Sequence, residues 1–324
     1  MITDRNSRWT IFRYSYIFVG YLHLMKNCAA YIWIFLISLV WLAPGCETFD
    51  KPEPLPVYLD IDQTKIALNK SGSITTTLGV KDLWIDYGPS TLGVFRQPSV
   101  IPVIPGSLTD SLAIAGGIYE NGLSSTRSRY PFWRPHIIPL EAVPLDTMPI
   151  RLTFEYYPDT VIHFAFNEAF EGASVSFEDL NSSSPNSTTM RISGSDVFMG
   201  SGAGRVEFSS AQYDLEMLGT DFIPLPQSGI NDIYIEITYK NNIAFTAGLF
   251  YSTGADIGEI PAGVFFKSED EWNTVYIHVN SGVRGILGNA VFKPYISASS
   301  FDSSTGTGKN GFLLIDNFRI IHFK

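Results

Sequence analysis

The sequence predicts an all-β protein of two antiparallel sandwiches in series, and three observations predict it. From Val57 onward, segment after segment alternates apolar and polar residues at period two, the pattern of a strand with one wet face. Breaks rich in Gly, Pro, Ser and Asn separate these segments at the spacing of antiparallel turns. Beyond Cys46, helical periodicity is confined to one short candidate turn, Tyr213 to Leu218.

The chain begins with a different kind of segment. Ala29 to Leu42 is an apolar run, about as long as a signal-peptide core and short for a bilayer span of roughly 20 residues. Lys26 precedes it, and Ala43-Pro44-Gly45 and Cys46 follow. Residues 1–45 therefore read as a cleavable signal. Met25 opens a complete signal by itself and is read as the true start; an uncut membrane-anchoring helix is the alternative. Leu42-Ala43-Pro44-Gly45-Cys46 resembles a bacterial lipobox, which implies lipid on Cys46. Each buried methylene contributes about 0.8 kcal/mol, so two or three acyl chains hold permanently. Cys28 leaves with the signal, so the folded part has no cysteine for a disulfide, a nucleophile or a metal.

Residues 46–56 read as an extended tether, with Pro52, Pro54 and Pro56 among acidic residues. Glu47, Asp50 and Glu53 resemble the acidic export signal that follows the lipidated cysteine in Bacteroidota surface lipoproteins. That implies an outer-membrane protein facing the cell exterior. The whole chain has 22 basic and 32 acidic residues. Residues 1–45 hold four basic (Arg5, Arg8, Arg13, Lys26) and one acidic (Asp4), leaving 18 against 31, a net of −13. Such a charge repels nucleic acid.

Residues 57–158 read as strands throughout. Val57, Leu59 and Ile61 alternate with Tyr58, Asp60 and Asp62; Leu83, Ile85 and Tyr87 with Trp84 and Asp86; Ile150, Leu152, Phe154 and Tyr156 with Arg151, Thr153 and Glu155. About seven short strands in this length suggest an immunoglobulin-like sandwich. Residues 161–324 read as a jelly roll. Ile233, Ile235, Ile237 and Tyr239 share one strand face, Asn241-Asn242 make a turn, and Ile243, Phe245, Ala247 and Leu249 return. Val275, Ile277 and Val279 alternate with Thr274, Tyr276 and His278, and Asn310-Gly311 opens a last strand.

Two resemblances follow. Ser176-Phe177-Glu178-Asp179 and Leu314-Ile315-Asp316-Asn317-Phe318-Arg319-Ile320 resemble the opening and closing strands of carbohydrate-binding-module (galactose-binding-like) jelly rolls. The resemblance implies a structural calcium, with Glu178 and Asp316 as oxygen donors; alternatively Asp316 caps a turn or pairs with Arg319. Gly116-Gly117-Ile118, Asn121 to Arg127 and Tyr130-Pro131-Phe132-Trp133 resemble a pattern in uncharacterised Bacteroidota lipoproteins, which implies lineage and location without an activity.

Catalytic patterns are sparse. His136, His163, His278 and His322 stand apart from metal-ligand spacing, and no Gly-x-Ser-x-Gly elbow occurs. Carboxylates such as Glu168, Glu171 and Glu269 could serve a glycosidase only if two faced each other across a cleft. Nothing requires a cofactor. Aromatic residues make up 14% of the chain, and flat rings suit the apolar faces of sugars. Tyr234, Trp272 and Tyr276 fall on the less apolar faces of their strands, where they either line an open ligand face or form a sandwich core. The leading expectation is a non-catalytic surface lipoprotein binding glycan or protein. Its rivals are an accessory subunit of an outer-membrane β-barrel complex and a jelly-roll glycoside hydrolase or lyase.

Overall fold

The computed structural model describes residues 53–67, 74–76, 79–105, 111–140, 143–229 and 232–324. The leader and Cys46 lie outside them. The described chain is nearly all β, built as two sandwiches. In the first, Val57–Ala67 is central to one sheet, antiparallel to Ser99–Val103 and parallel to Thr147–Glu155. The facing sheet runs from Ser90–Arg96 through Asp82–Tyr87 to Ser111–Tyr119, whose far edge pairs with Arg127–Arg129 and His136–Pro139. Alternation sets what is inside: Leu59, Ile61, Leu83, Ile85, Leu112 and Ile114 are all fully buried.

In the second sandwich, one sheet orders Met190–Ser193, Ala203–Phe208, Gly311–Phe323, Ile233–Asn241 and Glu269–His278, with Ile162–Glu168 also on the long last strand. The other orders Phe177–Asp179, Asp214–Gly219, Val291–Ser299, Phe245–Ser252 and Ile257–Pro261. Ile235, Ile237, Phe245, Ala247 and Leu249 meet in the core between them.

Three expectations fail. The first sandwich is not wholly antiparallel, because Val57–Ala67 and Thr147–Glu155 run parallel. The segment Tyr213 to Leu218 is not helical: Asp214–Gly219 is a strand beside Val291–Ser299, and the described helix is Asn280–Gly285. Strand pairing outweighs local propensity there, because Leu215 and Met217 are buried on one face. Nor do Ile233–Asn241 and Phe245–Ser252 form a hairpin. They lie in different sheets, and the short bend at 242–244 carries the chain across the core. Both strands have one strongly apolar face, and facing across a core buries both at once.

The two sandwiches share packing as well as sequence order. The first core continues into Tyr234, Tyr276 and Ile321 of the second sandwich.

Candidate functional site

Cross-strand register places Tyr234 opposite His278, Glu236 opposite Tyr276 and Thr238 opposite Thr274 on one face of the second sandwich. The shared face expected from the sequence is thus present. Its upper end is covered by the first sandwich, which corrects the open-face reading. Tyr234 is 2% and Tyr276 3% exposed. Tyr130 packs against both, with ring centroids at 5.3 and 4.7 Å, and Trp133 meets Tyr276 edge-on at 5.7 Å. Neither tyrosine offers a ring face to a ligand.

A polar knot lies inside this aromatic contact. Glu236, 3% exposed, accepts hydrogen bonds from the hydroxyls of Tyr130 and Tyr156 and faces Arg319 at 3.6 Å. Burial, with the Glu236 charge beside them, pushes ionisation of both phenols far above the ordinary tyrosine range. Both protons stay on as donors, which the carboxylate needs.

The Gly116-to-Trp133 sequence pattern builds the junction. A Cβ on Gly116 would lie 2.8 Å from the Trp133 ring, and one on Gly117 2.6 Å from Trp84 Nε1; the missing side chains let both indoles close on the sheet. Asn121 takes φ of 54° and Gly122 72°, so the loop turns back on itself. Asn121 N–H then donates to the Tyr276 carbonyl at 2.8 Å, and its Oδ1 accepts from His278 N–H at 3.0 Å. Tyr234 Oη donates to Glu120 at 2.8 Å.

Where this loop leaves the free edge of Glu269–His278, a cleft of about 470 Å³ opens between the sandwiches. Tyr119, Lys81, Asn273, Phe265 and Glu269 supply its chemistry. Phe265 is 71% exposed. Lys81 Nζ donates to Asn273 Oδ1 at 3.0 Å; burial holds its pKa below the usual lysine value, partly opposed by Glu269. Tyr239, at the cleft floor, is pushed up to about 12, chiefly by burial. The cleft thus offers rings, amides, two lysine ammoniums (Lys81 and Lys267) and one carboxylate among the described residues that line it.

The sequence missed Lys81, Tyr119, Phe265 and Asn273, because each comes from a different loop or strand. The one available signal was the pattern of Gly116-Gly117-Ile118 and Asn121 to Arg127, which flanks Tyr119. Trp272 sits elsewhere on its strand: half-buried, it packs against Phe198 at 5.9 Å and donates to Asp196.

Glu178 and Asp316, the oxygen donors the resemblance implies for calcium, each have protein partners. They belong to different sheets. Glu178 is held by Lys293 Nζ at 2.7 Å, while Asp316 accepts from Met199 N–H at 3.0 Å and Asn317 Nδ2 at 2.8 Å. Among the described residues, no group of three or more His, Cys, Asp or Glu gathers as metal ligands. Asp316 is instead a buried carboxyl, raised to about 6 by desolvation.

No protein-family model matches the chain, and no curated protein matches it. Among solved structures it is similar to the CBM22-1 xylan-binding domain from Paenibacillus barcinonensis Xyn10C, at 9% identity and a TM-score of 0.35, over 50% of this chain and 96% of that one. A carbohydrate-binding module of the β-sandwich superfamily is similar at 10% identity and a TM-score of 0.37, over 84% and 99% of the two chains. The family 11 carbohydrate-binding module of the Clostridium thermocellum cellulase Lic26A-Cel5E is similar at 11% identity and a TM-score of 0.34, over 49% and 93%.

Proposed function

We propose that this chain is a non-catalytic, carbohydrate-binding surface lipoprotein of Bacteroidota type, held to the outer membrane by lipid on Cys46 and binding a neutral oligosaccharide in the junction cleft. The observation that carries the reading is the cleft's lining. Tyr119 and Phe265 supply ring faces for the apolar side of a sugar. Asn273, Lys81 and Glu269 supply donors and acceptors for hydroxyls. Its volume falls within the usual range for small-ligand pockets, roughly 300–1,000 Å³. A glycosidase would need a second carboxylate facing Glu269, and none of the described residues lining the cleft supplies it, so binding without turnover is favoured over the hydrolase reading.

A glycan array followed by titration calorimetry tests this. At least one neutral oligosaccharide should bind, and Tyr119→Ala with Phe265→Ala should weaken it about tenfold or more, as expected from two lost ring contacts of ~0.5–1.5 kcal/mol each plus their buried area. Absence of binding across the array, or an affinity unchanged in the double variant, would refute the assignment.

A further inference from the structure

A second groove, of about 650 Å³, lies on the second sandwich and is separate from the junction cleft in every lining residue. It follows the free edge strand Met190–Ser193 and includes Asp179, Thr189, Arg191, Arg205, Glu207 and Gln212. Arg191 stands directly opposite Arg205 in the strand register. Like charges so placed destabilise a strand pair, and the chain as a whole carries a net charge of −10, so basic composition does not explain the pairing.

The local carboxylates leave these cations incompletely matched. Glu207 engages Arg205 through Nε alone, while the Arg205 guanidinium lies 5.6 Å from the Phe312 ring centre. Asp179 is committed to Ser187 Oγ and to Asn181 N–H, each at 2.9 Å. Arg191 is exposed and has no ion pair or hydrogen bond from its side chain among the described residues. Two neighbouring guanidiniums with spare N–H groups are suited to a planar or tetrahedral oxyanion. Thr189 and Gln212 add neutral hydrogen-bonding groups beside them.

We propose that this groove binds a short acidic saccharide, with Arg191 and Arg205 taking its carboxylate or sulfate and Thr189 and Gln212 meeting ring hydroxyls. The chain's net charge of −10 disfavours long polyanions and leaves short ligands. This site is independent of the neutral-sugar reading, because it shares no residue with that cleft.

Calorimetric titration of the intact chain with trigalacturonate, a sulfated trisaccharide, uncharged galactotriose and sodium sulfate tests the proposal. At least one acidic trisaccharide should bind, and the one that does identifies the anion. Arg191→Gln and Arg205→Gln should each weaken it about tenfold or more, with the melting temperature kept or raised. Galactotriose should show no binding that depends on these arginines. The proposal falls if neither acidic trisaccharide binds, if both variants bind it unchanged, or if sodium sulfate alone binds as tightly as the saccharide.

Discussion

Replacing Glu236 by Gln should test whether the two sandwiches are held by a specific polar contact or by apolar packing alone. The wild-type carboxylate is 3% exposed and accepts from two phenols, Tyr156 at 2.9 Å among them. Hydrogen bonds to a buried charge contribute about 1.5–3 kcal/mol each, against about 0.5–1.5 for neutral pairs. Exchanging two of the first kind for two of the second costs about 2–3 kcal/mol. Arg319 also loses its partner at 3.6 Å, although it keeps Asn167 and Asn317, which limits that contribution to roughly 1 kcal/mol. The expected loss is therefore about 3–4 kcal/mol, read by urea unfolding at pH 7. Tyr130→Phe should cost less, and in a double-mutant cycle with Glu236→Gln it should show a coupling of about 1 kcal/mol or more. A loss below about 0.5 kcal/mol for Glu236→Gln, or additivity in the cycle, would refute the idea that this knot joins the sandwiches.

Three further outcomes are expected. Gly116→Ala should lower stability by about 1–3 kcal/mol in the same assay, since the new Cβ would press on the Trp133 ring at 2.8 Å and meet Phe154 at 3.4 Å. Stability should fall as pH rises from about 4 to about 6, because Asp316 keeps its proton up to about 6 when folded and sheds it near the ordinary value of 3.8 when unfolded. The unfolded state then binds fewer protons across that window, for a total near 3 kcal/mol at about 1.4 kcal/mol per pH unit; Asp316→Asn should flatten this part of the pH profile, and an unchanged slope would contradict it. Cys46→Ser should move the protein from the membrane fraction to the soluble one, and mass spectrometry of the native N-terminal peptide should find acyl groups on Cys46; an unmodified thiol would end the anchor proposal.

Strand class and inward faces were legible because period two is a local property. Val57, Leu59 and Ile61 point inward together whatever the rest of the chain does. The sequence therefore determined an all-β chain, most strands of both sandwiches though not Asp214–Gly219, and the face shared by Tyr234 and Tyr276. It did not determine what lies over that face. Polar neighbours such as Thr274 and His278 read as a wet surface, whereas tertiary structure sets Tyr130 and Trp133 over it. The same limit applied to the turn after Asn241: strands joined by a tight bend look alike whether they pair side by side or face each other across a core. Only the tertiary fold decided that Phe245–Ser252 crosses to the other sheet, and that Lys81, Tyr119, Phe265 and Asn273 meet in one cleft. Those choices depend on which distant apolar and polar surfaces bury one another, and that free energy belongs to pairs of segments and to no single one.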